Sequence, residues 1–383
     1  MTSRAPTLDE ITYSQSPFKI DYTVKNLVRM NLNENLVLPQ TFLRSISVRC
    51  LDKLDLRSYP SSLKEGEMLA FIQEISRYNN CSSEMVSIGA GGDQLIDLLI
   101  RMRLRKSSDT LVTVDPTFPL YSMMASRLGA KVVTVPLGPF NPRDYKSSFN
   151  LKLEELLKAS GSKNCRVLAL ASPNNPTGVQ YPLDQIRHIL ESLPNVTVLV
   201  DEAYVEYANY SVLKLLNSYP NLVILRTFSK AFAIPSARLG YIICSDADFV
   251  REFTQEHQYP YPVASFSVLL GIELLKRKSV VLDAANKAKI LRGELTQSLI
   301  DFGLRKKRSP TLINASESSA NFVLFHCEGA GRIARELLQK YRIAVKYIEK
   351  IGQERDFLRI CVGTREINER LLYSLRRITA SGD

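Results

Sequence analysis

Between Val86 and Ser245 the chain alternates short apolar runs with amphipathic stretches, and this alternation narrows the accessible folds more than any other feature. The runs Met85–Ile88, Thr110–Val114, Lys131–Val135, Arg166–Ala171, Val196–Asp201, Asn221–Thr227 and Leu239–Cys244 read as strands. Between several of them the period changes to that of a helix. In Asp93–Leu104, residues Leu95, Leu98, Leu99 and Met102 fall at i, i+3, i+4 and i+7, and Leu151–Ala159 and Leu183–Leu193 behave alike. Strands alternating with helices predict an α/β fold, with a mostly parallel sheet covered on both faces. Such sheets bind ligands beyond the carboxyl ends of their strands.

After about Val263 the pattern changes. Two long helical stretches, Val263–Lys276 and Val280–Asp301, precede a strand–helix–strand–strand–helix series: Asn321–His326, Arg332–Tyr341, Ile343–Tyr347, Phe357–Val362 and Arg365–Arg377. This predicts a smaller α+β domain. The expected division is a large domain over 46–275 and a small domain over 276–383, with 1–45 an N-terminal arm and part of the small domain.

Composition removes other classes. The 45% apolar and 23% charged residues of this 383-residue chain suit a globular protein with an ordinary core. No apolar run approaches the roughly 18–20 residues of a membrane helix. Met1-Thr2-Ser3-Arg4-Ala5-Pro6 has no apolar stretch behind its basic residue, so no secretory leader is expected. Six scattered cysteines without CxxC pairs read as reduced core thiols of a cytoplasmic protein. The net charge of +11 raises nucleic acid, a membrane surface or small anions as partners. The basic residues are dispersed, the densest cluster being Arg305-Lys306-Lys307-Arg308, and no zinc-finger or RNP-type pattern occurs, so small anions are favoured. His188, His257 and His326 lie far apart without ligand spacing, so no metal is expected.

The strand ends carry residues that packing would not select. Ser172-Pro173-Asn174-Asn175-Pro176-Thr177-Gly178 follows one strand, and Asp201-Glu202-Ala203-Tyr204 ends and follows the next. Thr227-Phe228-Ser229-Lys230-Ala231-Phe232 follows a third, with Arg238 eight residues past the lysine. Gly89-Ala90-Gly91-Gly92-Asp93 opens the first helix. Taken singly, each is a turn, a cap or a solvated charge. Together, at successive strand ends, they converge on one crevice. The glycine-rich segment is no dinucleotide fingerprint, because Gln94 stands where the third glycine belongs, and it lacks the GK[ST] of a P-loop. It still offers backbone N–H groups to one phosphate monoester, which Thr227, Ser229 and Arg238 would approach from the other side. Asp201 suits a protonated ring nitrogen, Asn175 and Tyr204 a ring oxygen, Phe118 a ring face, and Lys230 an aldehyde. Those groups together describe pyridoxal 5′-phosphate (PLP).

At these motifs, and at Leu358-Arg359-Ile360-Cys361-Val362-Gly363-Thr364-Arg365, the chain resembles the fold-type-I PLP enzymes, most closely the histidinol-phosphate aminotransferases. Asn33-Glu34-Asn35 and Arg57-Ser58-Tyr59-Pro60 add to the resemblance, which runs from about Asn31 to Arg377. It implies that Lys230 holds PLP as an imine and then acts as the general base, with Asp201 at the pyridine nitrogen. It further implies Asn175 and Tyr204 beside the phenolic oxygen, and Gly92, Asp93, Thr227, Ser229 and Arg238 around the phosphate, with Phe118 stacked on the ring. Tyr59 is implied to reach a neighbouring subunit's cofactor, hence a homodimer with shared sites. Asn35, Lys346 and Arg359 are the implied substrate contacts, and L-glutamate and 2-oxoglutarate the second substrate pair of a ping-pong cycle.

Two departures bear on the substrate. Leu36-Val37-Leu38-Pro39 replaces the family's Pro-aromatic-Gly-Pro, and Lys346 follows Val345 where the family carries an arginine. A lysine offers a point charge where arginine offers a fork. The alternatives are a threonine-phosphate decarboxylase-like lyase and an aspartate or aromatic amino-acid aminotransferase. A PLP-dependent transcription regulator would need an added helix-turn-helix domain of about 60 residues, which the segment before the resemblance is too short to hold.

Overall fold

The structure is a computed structural model that describes residues 20–141, 148–304 and 318–380. The chain's opening hexapeptide and the Arg305–Arg308 cluster lie outside the described residues. Eleven strands occur among the described residues: β1 (Val28–Met30), β2 (Val86–Gly89), β3 (Thr110–Asp115), β4 (Lys131–Pro136), β5 (Cys165–Ala171), β6 (Thr197–Asp201), β7 (Leu222–Thr227), β8 (Gly240–Cys244), β9 (Phe322–His326), β10 (Ile343–Ile351) and β11 (Glu354–Cys361).

Seven of them form one sheet in the order β2-β8-β7-β6-β5-β3-β4. The pairings from β7 through β4 are parallel, and β8 alone runs antiparallel to both its neighbours. The continuous apolar runs have a direct cause. Val198 and Val200 of β6, with Leu168 and Leu170 of β5, pack into one core with Ile186 and Ile189 of helix Leu183–Ser192. The alternate residues Leu199, Val167 and Ala169 pack into a second core with Leu95 and Leu99 of helix Gly91–Arg103. Successive side chains on a strand point to opposite faces, so a sheet buried on both faces needs apolar residues at every position. The edge strand β4 is largely exposed and carries the polar Lys131 and Thr134.

The second sheet has the order β1-β10-β11-β9, with β1 parallel to β10 in the register Val28↔Ile343 and Met30↔Val345. The N-terminal segment is thereby a strand of the C-terminal sheet. Strands β10 and β11 extend beyond the expected Ile343–Tyr347 and Phe357–Val362 because Ile351 pairs with Glu354 around a two-residue turn. Gly352 takes φ +60 in that turn, the left-handed backbone such tight hairpins require. Helix Ser265–Lys276 packs on the large sheet's side against helices Gln40–Leu51 and Gly66–Asn79, and helix Lys278–Leu304 continues to the small sheet's side against Arg365–Ala380. The two N-terminal helices are additions to the elements expected from the sequence. Gly66–Asn79 carries a legible signal, since its buried Met68, Phe71, Ile72 and Ile75 fall at the helical period. No helix among the described residues is long and apolar enough to cross a membrane.

Candidate functional site

Asp201 and Thr227 are the last residues of β6 and β7, and the loop after β5 begins at Ser172. Helix Gly91–Arg103 starts beside them. These ends enclose a cavity of about 240 Å³ lined by Gly92, Asp93, Phe118, Asn175, Asp201, Tyr204, Thr227, Ser229, Lys230 and Arg238, together with Leu32 and Glu34 of the N-terminal segment. Ten residues read separately along the sequence are therefore neighbours. The parallel pairings Ala171↔Asp201 and Asp201↔Leu225 bring the three strand ends level.

Asp201 is 6% exposed. Its Oδ2 accepts a hydrogen bond from the Tyr121 hydroxyl at 2.7 Å, and its Oδ1 accepts the Ala203 N–H at 3.0 Å. Burial pushes its pKa up to about 6; these two donors oppose the rise, Asp93 adds to it, and the Lys230 charge opposes it more weakly. No ion pair among the described residues includes Asp201. A buried carboxylate held by neutral donors and facing a cavity suits a cationic ligand atom. Tyr121 was not anticipated, because a tyrosine three residues past Phe118 on a helix carries no signal beyond core packing.

Lys230 Nζ donates to the Leu32 carbonyl at 3.3 Å and lies 5.6 Å from the centre of the Tyr204 ring. The Tyr204 hydroxyl accepts from Asn33 Nδ2 at 2.9 Å, and burial pushes its pKa up to about 12, so it is a neutral donor at physiological pH. Phe118 stands edge-on to Tyr121 with ring centres 5.8 Å apart.

The other end of the cavity is built for an anion. Helix Gly91–Arg103 has Ala90 at its N-cap and no side-chain cap there, so its first N–H groups are available to a ligand. Gly91 sits at φ +82, and a Cβ on it would stand 2.8 Å from the Arg238 guanidinium. That close approach is one only glycine permits. Arg238 donates to Asp93 Oδ2 at 2.9 Å, and the Thr227 hydroxyl lies 3.0 Å from Ser229 Oγ. A guanidinium, two hydroxyls and a helix N-terminus form a donor set for a phosphate. The cavity thus matches, end to end, a planar ligand with a phosphate at one pole and a protonated nitrogen at the other.

Arg359 is buried just outside the cavity lining and reaches it through Asn175. Its guanidinium donates to Asn175 Oδ1 and, at 2.7 Å, to the Asn31 carbonyl, and it lies 5.5 Å from the Phe322 ring centre. Lys346 faces it in the β10–β11 register. Burial, followed by repulsion from Arg359, pushes the Lys346 ammonium down to about 8. The structure does not bring Asn35 to the cavity. Its Nδ2 donates to the Ala231 carbonyl at 2.8 Å, and its Oδ1 accepts the N–H groups of Val37 and Leu38. Its amide is spent on the backbone, and neighbouring Glu34 faces the cavity instead. Tyr59 is also outside this cavity, 84% exposed and stacked on Tyr261 with ring centres 5.6 Å apart.

Beneath the site lies a buried ion pair whose carboxylate, Glu202, sits in the Asp201–Tyr204 motif but whose arginine no motif marks. Arg226 donates to Glu202 Oε2 through Nε at 3.0 Å and Nη2 at 2.7 Å, and to Asn79 Oδ1 at 2.6 Å. Glu202 also accepts the Val212 N–H at 2.7 Å. The pair ties the residue after Asp201 to β7, the strand that leads to Lys230. One histidine has nearer acidic neighbours than its spacing suggested: ligand atoms of Glu252, Glu256 and His257 lie within 4.8 Å of one another. Glu252 is already bonded to Arg105.

A family model described as aminotransferase class I and II matches residues 29–375. A histidinol-phosphate aminotransferase from Xylella fastidiosa is 33% identical over 329 residues, 85% of each chain. The solved histidinol-phosphate aminotransferase of Sinorhizobium meliloti, in complex with pyridoxal-5′-phosphate, superposes with a TM-score of 0.79 at 22% identity, covering 96% of this chain and 93% of that one. The L-threonine-O-3-phosphate decarboxylase of Porphyromonas gingivalis superposes with a TM-score of 0.74 at 17% identity, covering 92% of this chain and 100% of that one.

Proposed function

This chain belongs to the class I and II aminotransferases, and on that footing we propose that it moves the amino group between histidinol phosphate and 2-oxoglutarate, in histidine biosynthesis. It is a PLP-dependent enzyme. The observation that carries the substrate assignment is the pairing of two cations, Arg359 and Lys346, on facing strands, with Arg359 bonded to the cavity-lining Asn175. Two adjacent positive groups suit a dianionic phosphate on one substrate and the carboxylates of the other. The Xylella relative supports the same reading.

In this proposal Gly92, Asp93, Thr227, Ser229 and Arg238 hold the cofactor's phosphate, Phe118 covers its ring, Asn175 and Tyr204 flank its phenolic oxygen, and Lys230 holds its aldehyde carbon. When bound, PLP supplies an electron-accepting ring and an exchangeable carbonyl. The protein's residues do the rest. Asp201, oriented by Tyr121 and the Ala203 N–H, keeps a proton on the ring nitrogen. The Lys230 amine takes the proton from the substrate's Cα and returns it, as a general base and then a general acid. The Asn31–Asn35 segment, tied down through Asn33 to Tyr204 and through the Asn31 carbonyl to Arg359, closes the cavity from the small-sheet side and excludes water.

The proposal includes a cytoplasmic homodimer with shared sites. Leu56, Tyr59, Tyr259 and Tyr261 are all more than half exposed, an apolar and aromatic surface of the kind a subunit interface covers. Tyr59 would cross that interface to a partner's cofactor. Asn35, by contrast, is assigned here to shaping the loop that presents Glu34.

The test is a single-turnover panel with histidinol phosphate, threonine phosphate, glutamate, aspartate and phenylalanine, following the cofactor spectrum and released gas. Histidinol phosphate and glutamate should each convert the cofactor to its amine form. Carbon dioxide from threonine phosphate would transfer the assignment to the lyases. Conversion by aspartate or phenylalanine, with none by histidinol phosphate, would replace the substrate.

A further inference from the structure

At the opposite end of the same elements lies a second cavity, of about 360 Å³. The active-site cavity adjoins the carboxyl ends of β5 and β6 and the start of helix Gly91–Arg103. The second adjoins the amino ends of those strands, at Arg166 and Thr197, and the last turn of that helix, at Arg103. A helix of 13 residues separates the two by about 20 Å.

Three guanidinium groups converge on it, from Arg103, Arg105 and Arg166, against one lining carboxylate, Glu252. Each is braced through its Nε. Arg103 Nε donates to the Thr197 hydroxyl at 2.8 Å, and its guanidinium lies 5.2 Å from the Phe249 ring centre. Arg105 Nε donates to the Met102 carbonyl at 2.9 Å, and Arg166 Nε to Asp109 Oδ1 at 3.1 Å. Asp109 is itself held, its Oδ2 accepting the N–H groups of Arg105 and Lys106 at 2.9 and 2.8 Å. Glu252 Oε1 takes the Arg105 terminal nitrogen, while Glu252 Oε2 is 3.9 Å from Arg103 Nη1. Counting Asp109 as well as Glu252, three positive groups meet two negative ones.

Bracing through Nε leaves the terminal nitrogens of Arg166, and those of Arg103 apart from the 3.9 Å ion pair with Glu252, without a hydrogen-bond partner among the described residues, at a cavity that both residues line. Guanidiniums repel one another, and gathering three at a polar cavity is favourable when an anion bridges them. We propose that this cavity is a second anion site, one that takes a small phosphate-bearing polyanion and is separate from the cofactor and substrate phosphates. The inference stands apart from the identity of the amine substrate, since none of its residues reaches the Lys230 cavity. It also gives a local destination to part of the excess positive charge.

The experiment is calorimetric titration of the PLP-loaded enzyme with inorganic pyrophosphate in a phosphate-free buffer, so that the cofactor's own phosphate cradle is already filled. Wild type should bind pyrophosphate with an affinity that weakens as salt is raised. Arg103→Gln with Arg166→Gln should weaken that binding by at least about tenfold, while the KM for the amine substrate stays unchanged. Because that double variant removes two internal braces, Asn195→Asp provides a second arm. Asn195 is an exposed lining residue outside the ion pairs, and a carboxylate there should weaken pyrophosphate in the same direction. Pyrophosphate binding that is equally strong in wild type and Asn195→Asp, or no binding by wild type at concentrations up to about 10 mM, overturns the proposal. A raised amine KM in the folded double variant would overturn its separateness from the active site.

Discussion

Replacing Asp201 by asparagine in the cofactor-free protein should change the pH dependence of folding in a calculable way. In the fold the Asp201 carboxyl titrates near 6, against an ordinary value of 3.8, chiefly because it is buried. A carboxyl whose pKa is raised by folding favours the fold when protonated. Its contribution is complete below the unfolded value near 4 and is lost as pH rises through about 6. The displacement corresponds to about 3 kcal/mol. A carboxamide cannot ionise, so the Asp201→Asn variant lacks this component, whereas the altered bond to the Tyr121 hydroxyl adds an offset that does not vary with pH below the tyrosine range. Urea unfolding of both cofactor-free proteins from pH 4 to 8 gives the difference curve. Wild type should lose about 2.5 kcal/mol relative to Asp201→Asn over that interval, the rest of the displacement falling below pH 4. Adding PLP at pH 8 should then stabilise wild type more than the variant, because a protonated ring nitrogen supplies the cation that the folded carboxylate lacks. A difference curve flat to within about 0.5 kcal/mol would refute the burial argument.

Lys230→Ala should abolish turnover, with PLP still bound noncovalently; borohydride treatment followed by mass measurement should add the cofactor's mass to wild type only. The Lys346 ammonium, pushed down to about 8, is charged below that pH and neutral above it. The KM for the phosphate-bearing substrate should therefore rise as pH passes through about 8, and Lys346→Arg should remove that rise in a KM–pH profile. Glu202→Gln leaves the buried Arg226 without its anion, which should cost about 3–5 kcal/mol in denaturant unfolding. Arg226→Met combined with Glu202→Leu should recover part of that loss.

The sheet and its chemistry were readable from the chain because both follow from local rules. Uninterrupted apolar runs such as Val196–Val200 signal strands buried on both faces, and the polar residues that end them must lie at the sheet's carboxyl edge. Parallel pairing then makes those ends neighbours, so ten lining residues of one cavity were nameable in advance. The helical period of Gly66–Asn79 is equally present in the chain, outside the elements expected from it. Other features have no local signature. Tyr121 and Arg226 look like a core aromatic and a strand residue until their partners, 80 and 24 residues away, are placed beside them. Asn35 reads as a ligand contact in its motif, yet backbone groups of its own loop and of Ala231 use its amide. The pairing of β1 with β10, which brings the N-terminal segment over the cavity, depends on contacts more than 300 residues apart. Periodicity and residue chemistry thus specified the layers and the edge that borders the cavity. Which polar groups are buried, which are already satisfied and where cations gather was decided only when distant segments packed, because hydrogen bonding and desolvation depend on neighbours in space and not on neighbours in the chain.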